Sequence, residues 1–273
     1  MISRLFNHKK LLFVFAAALI FSTWYFLQAP RNDREWSLDQ QILPYAEFNG
    51  DSITIFNIRN FTYTTIDEYT PAYYNKTFSL QNLQSVDYIV EPFGNIGAAH
   101  TFLSFGFDTG DYVAISVEIR KEIGETFSPL KGLVRNYELT YVIADERDAI
   151  KLRTNYRHDT VYLYPVTTSR ENVQRLFVDM LTRTNTLREK PEFYNTLTNT
   201  CTTNIADHIN NISAKHIPWD FRLLFPRNSD ALAYELGLID TSLPLDELRI
   251  RHKINEKAEL YAESSDFSRL IRQ

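Results

Sequence analysis

The sequence predicts an α+β domain, built as an antiparallel sheet with helices packed on one side, behind a single N-terminal membrane helix. Strand-like segments fill the first half of this 273-residue chain, and amphipathic helical segments follow in the second half. Runs of strands followed by runs of helices are typical of α+β domains. A nearly apolar run at 11–29 precedes them all. The sequence shows no internal repeat, so one sizeable domain is expected at this length.

The N-terminal segment has the pattern of an uncleaved membrane anchor. Basic residues flank it at 1–10, and 11–29 is long enough to span a bilayer as a helix. Trp24 and Tyr25 lie toward its outer end, where aromatic rings favour the interface. The alternative, a cleaved secretory signal, would have a shorter apolar core that ends in small residues. We therefore expect the basic flank in the cytoplasm and the main domain outside the inner membrane.

Three segments follow the anchor. The stretch 30–47 is mixed and polar, so we expect a linker there. Strand and helix patterns run through 48–240, which we assign to the main domain. The remainder, 241–273, is polar with little periodicity and is expected to be a C-terminal tail.

Composition excludes several classes of partner and site. The formal net charge is −5 and Lys and Arg form no basic stripe, so we expect no nucleic-acid partner. Cys201 is the only cysteine, which rules out an intrachain disulfide and a multi-thiolate metal site. Because the sequence also has no cofactor motif, we expect neither a cofactor nor a metal.

The predicted strands alternate apolar with polar or β-branched side chains. In Tyr112–Ile119 every second residue is a branched apolar one, and Asp108–Asp111 (DTGD) supplies turn chemistry before it. This pattern predicts a hairpin with the preceding segment, His100–Phe107. Further strand-like segments lie at 52–65, 85–90, 137–144 and 160–166.

Two amphipathic helices follow the strands. After Ser169, an expected N-cap, one apolar face is marked by Val173, Leu176, Phe177, Met180 and Leu181. A second helix is expected to begin near Cys201, because cap-preferring Asn and Thr residues surround it and isoleucines then recur at helical spacing. Shorter helices are expected within 145–159 and 216–240.

Cys201 is the candidate nucleophile. At a helix start, unpaired backbone N–H groups and the positive end of the helix dipole favour the thiolate, and the same N–H groups can hold a developing oxyanion. The structural alternative is that a lone cysteine is a small buried hydrophobic residue without chemistry.

His100 is the candidate base for Cys201. Histidine is the usual partner of a cysteine nucleophile because its pKa lies nearest neutrality. His100 opens a strand directly after small residues, where another backbone or a substrate can come close. His208 follows Cys201 by seven residues, which places it roughly 10 Å away along a straight helix and out of reach.

A third group should orient His100. Ser116 and Glu118 share a face of the hairpin partner strand, and the sequence does not choose between them. Arg120, in the charged run that follows, has the fork of donors suited to a lipid head group or phosphate, although a solvated salt-bridge network is the favoured interpretation of that run.

The blocks HTFLSFGF (100–107), SVEIRKEIGE (116–125) and CTTNI (201–205) carry a family resemblance. They resemble the Lnb N-terminal periplasmic domain, a family named after a lipoprotein N-acyltransferase, over about 48–239. The order of histidine before cysteine is also similar, more loosely, to permuted papain-like thiol enzymes such as lecithin:retinol acyltransferase. These resemblances imply a permuted papain-like thiol-enzyme core within the α+β domain.

The resemblance implies acyl transfer through a thioester. Cys201 would attack an ester carbonyl of a phospholipid, and His100 would move the protons. The acceptor would be an amine such as the N-terminus of a lipoprotein, so the expected partners are phospholipid and lipoprotein substrates at the membrane surface. After residue 29 no other run is long enough to cross a bilayer. Access to lipid would therefore depend on the anchor and on apolar surface near Cys201.

Two alternatives stay open. With water as acceptor, or with a cell-wall amide as substrate, the same residues would form a cysteine hydrolase or peptidase of the envelope. If Cys201 and His100 are structural, the domain is a non-catalytic envelope binding module.

Overall fold

The computed structural model describes residues 2–94, 97–214 and 216–273, with side chains described from residue 10 onward. The basic side chains of the predicted flank at 1–9 and part of the glycine-bearing loop before His100 lie outside the described residues.

The N-terminal helix α1 (Ile2–Leu27) contains the predicted anchor, 11–29, except for its last two residues. Within the described residues it is the one helix that is long and apolar enough to cross a membrane, judged by length and composition. Its apolar side chains from Leu11 to Leu27 are largely exposed, as a helix surrounded by lipid requires.

In the described residues, ten strands lie between α1 and residue 170, where the longer helices begin. They are β1 (Tyr45–Asn49), β2 (Ser52–Arg59), β3 (Thr62–Tyr63), β4 (Tyr69–Thr70), β5 (Tyr73–Ser79), β6 (Leu83–Pro92), β7 (Ala99–Phe107), β8 (Tyr112–Arg120), β9 (Glu138–Asp145) and β10 (Tyr162–Pro165). Eight of them form one sheet in the order β1-β2-β9-β8-β7-β6-β10, with β5 also paired to β2. The hairpin of β7 and β8 is antiparallel, as the alternation of Tyr112–Ile119 predicts.

The sheet is mixed, which corrects the expectation of a purely antiparallel one. One of its contacts joins β2 and β9 in parallel, at Arg59 and Ala144. These two strands are far apart in sequence and no hairpin fixes their relative direction, so alternation within each strand cannot reveal it.

The helices cover both faces of the sheet, so the expectation of helices on one side is wrong. They are α2 (Pro129–Leu133), α3 (Glu146–Lys151), α4 (Arg170–Glu189), α5 (Cys201–Ile212), α6 (Ser229–Glu235), α7 (Leu245–His252), α8 (Asn255–Leu260) and α9 (Phe267–Leu270). On the first face, Leu103 and Phe105 of the sheet share a core with Phe177 of α4 and Ile205 of α5. On the second face, the core is formed by residues that include Phe102, Ala114, Ile150, Ile254, Ala258, Phe267 and Ile271.

The predicted tail therefore forms part of the fold. Ala258, Phe267 and Ile271 are fully buried against the second face. Each tail helix contributes only one or two such side chains, so the sequence shows no amphipathic period there.

The predicted linker is also packed against the domain. Trp36 is buried, and its ring lies 4.2 Å from the Arg120 guanidinium carbon. The Ser37 amide donates to the Lys121 carbonyl (2.9 Å), and the Arg31 amide donates to Glu138 (3.1 Å). Residues 30–47 are thus a fixed lead-in between α1 and the sheet.

Candidate active site

The first turn of α5 holds Cys201 in a capping box. Thr200 is the N-cap: its amide donates to the Thr203 hydroxyl (2.8 Å), and the Thr203 amide donates back to the Thr200 hydroxyl (3.3 Å). Cys201 is consequently the first helical residue, and it is half-buried. Within the described part of the chain, the amides of Cys201 and Thr202 have no hydrogen-bond acceptor, and such N–H groups can stabilise an oxyanion.

His100 belongs to a hydrogen-bonded relay with Ser116 and Glu118. Its Nε2 lies 2.6 Å from Ser116 Oγ, and Ser116 Oγ lies 2.9 Å from Glu118 Oε1. The ring and the carboxylate are 3.8 Å apart at their nearest polar atoms. The structure therefore brings both candidate orienting residues to the imidazole, with the serine between the other two groups.

The relay fixes which ring nitrogen carries the proton. An ionised carboxylate only accepts hydrogen bonds, so Ser116 must donate its single hydroxyl hydrogen to Glu118. The Ser116 oxygen then accepts from Nε2–H of His100. In a neutral ring this leaves Nδ1 with its lone pair, and Nδ1 has no partner among the described residues. Nδ1 is thus the nitrogen available as a base.

Glu118 is held from its other side by residues that the sequence analysis did not identify. Arg153 lies between two carboxylates, with Nε 2.6 Å from Glu91 and Nη2 3.3 Å from Glu118. Gln40 of the lead-in donates to the second Glu118 oxygen at 3.2 Å. Arg153 and Glu91 are both buried.

Burial and charge set the protonation of this group of residues. Burial lowers the pKa of His100 to about 3, Arg153 pushes it in the same direction, and Glu118 opposes both. Burial alone would raise the pKa of Glu118, but its interactions with His100 and Arg153 hold it well below the ordinary value. Near neutral pH the site therefore combines an ionised Glu118 with an uncharged imidazole.

Cys201 and His100 approach from different faces of the sheet. Thr101 contacts α5 through a 2.9 Å hydrogen bond to Thr202, so it points to the first face. Its neighbour His100 points the other way, and its ring stacks on Phe102 with 5.7 Å between centroids. No hydrogen bond joins Cys201 to His100 in the described structure.

A gap in the sheet connects the two faces. The pairing of β7 with β8 stops at Phe102 and Ser116, although β7 stays paired to β6 as far as Ala99 and β8 stays paired to β9 as far as Arg120. A cavity of about 600 Å³ lies here. Its lining includes Val117, Glu118 and Ile119, which are consecutive on β8 and therefore point alternately to the two faces. Cys201, His100 and Arg153 also line it. The two candidate catalytic groups therefore share one cavity.

The structure places Arg120 away from this cavity. Its guanidinium is buried against Trp36 and donates to Asn32 Oδ1 and to the backbone carbonyls of Gln40 and Gln41. Each of the three guanidinium nitrogens of Arg120 thus bonds within the described residues, and the side chain is buried.

The buried His208 is a structural group. Its Nε2 lies 2.6 Å from the Tyr141 hydroxyl, and its Nδ1 lies 2.6 Å from Asp179 on α4. This network ties α5 to α4 and β9, away from the cavity that Cys201 lines.

A second, apolar cavity lies on the other side of α5. It is lined by Thr202, Ile205 and Ile209 together with residues of α6, and has a volume of about 90 Å³. An engineered protein cavity of about 150 Å³ holds one benzene ring, so this space is too small for a fatty acyl chain.

The described residues also contain no cluster of His, Cys, Asp or Glu that could hold a metal ion.

Comparison with known proteins gives one match. A family model described as the Lnb N-terminal periplasmic domain matches residues 69–227, a range that includes His100, Ser116, Glu118, Arg153 and Cys201. No curated protein matches the chain, and no solved structure matches it. The matched range excludes the lead-in with Gln40 and the helices of the tail.

Proposed function

Because the chain belongs to the family of the Lnb N-terminal periplasmic domain, we propose that it is a thiol acyltransferase anchored in the inner membrane. Family membership and the apolar helix α1 fit a single-pass envelope protein with a periplasmic domain. The chemistry is our proposal, and one observation carries it: Cys201 and His100 line the same 600 Å³ cavity. That volume is typical of small-molecule sites, which range over roughly 300–1,000 Å³.

In the proposed first step, Cys201 takes an acyl group from a lipid ester. His100 Nδ1 accepts the thiol proton as sulfur attacks the carbonyl carbon, and the amides of Cys201 and Thr202 stabilise the oxyanion. The C–O bond then breaks, and the imidazolium returns the proton to the leaving alcohol. The product is a Cys201 thioester and a lipid that has lost one acyl chain.

In the second step, an amine attacks the thioester carbonyl. The C–S bond breaks, the acyl chain ends as an amide, and His100 passes a proton from the amine to the sulfur. In this proposal Ser116 and Glu118 are positioning residues, since they act through the ring. The order of strand histidine before helix cysteine supports a permuted papain-like core.

The low pKa of His100 sets a requirement on this mechanism. A base with a pKa of about 3 is weak near neutral pH. A thiolate next to the ring stabilises the imidazolium and raises that pKa. The two groups must therefore come into contact across the sheet gap when substrate binds, because catalytic hydrogen bonds commonly tighten only in the substrate complex.

The charge of the cavity favours an amine as acceptor. Six carboxylates line it against three cationic side chains: Asp39, Asp67, Glu91, Glu118, Glu125 and Asp159 face Lys121, Arg153 and Arg157. A net negative cavity attracts the ammonium of a lipoprotein N-terminus and repels a phosphate. The head group of a phospholipid donor would therefore stay outside the cavity while its ester enters.

Acyl labelling of the full chain in phospholipid vesicles tests the proposal. With a phospholipid that carries a labelled acyl chain, we expect label on Cys201 that hydroxylamine releases, and none on Cys201→Ala. His100→Ala should form the thioester about 10²- to 10⁴-fold more slowly. Addition of a peptide with an N-terminal diacylglyceryl cysteine should move the label to its amine.

The same experiment separates the alternative functions. Release of labelled fatty acid, with no transfer to the peptide, would make the protein a hydrolase. Absence of label in the wild type with every lipid class tried would overturn the acyl-enzyme and favour a non-catalytic binding module.

A further inference from the structure

We propose that the domain itself docks on the bilayer through an apolar rim formed by Ile123, Phe127, Leu130 and Leu197. These side chains are exposed to 71%, 45%, 75% and 53%, respectively. Single exposed apolar residues are common on protein surfaces. These four residues differ from isolated ones because their segments are joined to each other, lie next to the end of α1 and border the cavity.

Hydrogen bonds hold the segments of the rim together. The Thr196 hydroxyl donates to the Pro129 carbonyl (2.8 Å), which joins the Leu197 turn to α2 and its Leu130. The Ser128 amide donates to the Tyr137 hydroxyl (3.0 Å), which fixes the end of the Phe127 loop. A bilayer would thus meet apolar side chains presented by an ordered surface.

The rim is continuous with the exit of the anchor. Arg135, two residues after α2, donates to the Tyr25 carbonyl of α1 (3.1 Å), and its guanidinium carbon lies 4.3 Å from the Tyr25 ring centre. The Ile123 amide donates to the Glu35 carbonyl of the lead-in (2.9 Å). Both ends of the rim are therefore tied to the chain within ten residues of Leu27, the last residue of α1.

This continuity identifies the bilayer as the occupant of the rim. Tyr25 lies in the last turn of α1, where aromatic rings sit at the membrane interface. A surface bonded to that turn lies at the same level, so lipid reaches it before a soluble partner can.

Docking of the rim would bring the cavity mouth to the lipid. Phe127 lines the cavity with Cys201, and Leu197 precedes Cys201 by four residues in the turn that leads into α5. A donor ester could then enter the cavity without its acyl chain crossing open water. This inference depends on the proposed anchor but not on the proposed chemistry.

Site-specific labels on the full chain test the docking. Cys201 is the only cysteine, so Cys201→Ser accepts one introduced cysteine at a time. We would label Leu130→Cys with an environment-sensitive fluorophore and reconstitute it in phosphatidylcholine–phosphatidylglycerol vesicles with or without brominated acyl chains. Ile250→Cys, at a similarly exposed apolar position (79%) on α7, is the matched control. Leu19→Cys in α1 reports the anchor.

We expect bromine to quench the labels at 130 and 19 at least twofold and to leave the label at 250 unchanged. If the label at 19 is quenched but the labels at 130 and 250 are quenched to the same extent, the docking is overturned and the anchor is kept. An unquenched label at 19 would overturn both. Self-quenching between copies at 130 without bromine quenching would show that a second copy of the chain covers the rim, which also contradicts the proposal.

An unlabelled variant checks the same surface independently of the fluorophore, with the proposed acyl transfer as its readout. Leu130→Glu should transfer acyl groups from vesicle phospholipid about 10-fold more slowly, because a carboxylate is excluded from the lipid interior, and should react with a water-soluble short-chain thioester at the wild-type rate. Equal loss with both donors would mean a damaged site and no docking role.

Discussion

Ser116 is the side chain through which Glu118 reaches His100, because it accepts from the ring and donates to the carboxylate. Ser116→Ala removes this relay and frees the ring to change tautomer. Residues that orient a functional histidine are typically worth about 10- to 100-fold in activity, so we expect thioester formation to slow by that factor at unchanged KM. A stopped-flow burst measurement with a soluble thioester checks this.

The matched control is Ser104→Ala, on the neighbouring strand β7 and the same face of the sheet. Ser104 also donates to a buried carboxylate, that of Glu146, but far from the ring. Ser104→Ala should lower the free energy of unfolding by a similar amount without slowing thioester formation. Equal slowing in both variants would remove the positioning role of Ser116.

The acid limb of the pH profile should report His100. Only the uncharged ring accepts a proton, so kcat/KM falls as pH drops through the pKa of His100, which burial lowers to about 3 in the free protein. Arg153 contributes to this low value, so the double variant Glu91→Gln/Arg153→Gln should move the acid limb toward neutral pH. Changing Glu91 together with Arg153 avoids leaving the buried Glu91 carboxylate without its cation, and Glu118 keeps its bonds from Ser116 and Gln40.

Removal of an ion pair outside the cavity provides the comparison. Arg183 and Glu192 pair at 2.6 Å. Their double glutamine variant should keep the wild-type profile. An acid limb near pH 6.5 in the wild type would contradict the lowered pKa of the His100 ring.

Sequence reasoning finds site residues when they share one strand. The alternation of β8 places Ser116 and Glu118 on one face, and both lie within reach of His100. Arg120 has the same parity but lies at the strand end, where Trp36 covers it. Glu91, Arg153 and Gln40 come from other segments, and no local pattern could have brought them to Glu118.

At the scale of elements, the capping box of α5 fixes both a helix start and the position of Cys201. Thr200→Ala removes the side-chain acceptor for the Thr203 amide, which should lower the free energy of unfolding by about 1 kcal/mol. We also expect slower thioester formation, because the first turn carries the sulfur and the two free amides. Urea unfolding and burst kinetics measure the two effects.

Ser169→Ala, at the N-cap of α4, is the control for this prediction. Ser169 makes the same kind of bond, to the Asn172 amide at 3.2 Å. It should reduce stability by a similar amount with normal kinetics. If the two variants behave alike in both measurements, the cap of α5 is purely structural.

The elements with a strong period were predictable. Ser169 does cap α4, and α5 does begin at Cys201. The strand β5 lies in a stretch rich in tyrosine and turn residues, and it is defined by pairing with β2 rather than by its own alternation. The short helices α7, α8 and α9 bury too few side chains to leave a periodic signal.

At the scale of the whole molecule, the C-terminus closes the second face of the sheet through Arg272. Its guanidinium bonds to Glu146, which is fully buried, and to Asp87 at 2.8 Å. Arg272→Met leaves both carboxylates without their cation, which should destabilise the fold by about 3–5 kcal/mol. Thermal unfolding of the domain measures this loss.

Arg269→Met lies one turn earlier on α9 and pairs with the exposed Asp266. An exposed pair contributes at most about 1 kcal/mol, so this variant should unfold almost like the wild type. Similar losses in both variants would mean that the Arg272 cluster does not hold the tail.

The overall α+β class could be predicted because it depends on the order of strands and helices. The parallel contact of β2 with β9 and the cover on the second face could not be, since both depend on residues far apart in sequence.

The lead-in has a practical consequence for anyone who trims this chain into a water-soluble form. A cut at residue 48 would discard Gln40, which bonds to Glu118, together with Trp36, which covers Arg120. The remaining fragment could fold and still react at a rate that differs from that of the full chain, because Glu118 and Arg120 would lack these partners. A trimmed protein that begins just before Asn32 keeps these bonds. Comparing its rate with that of the full chain would reveal how much the anchor helix α1 contributes to turnover.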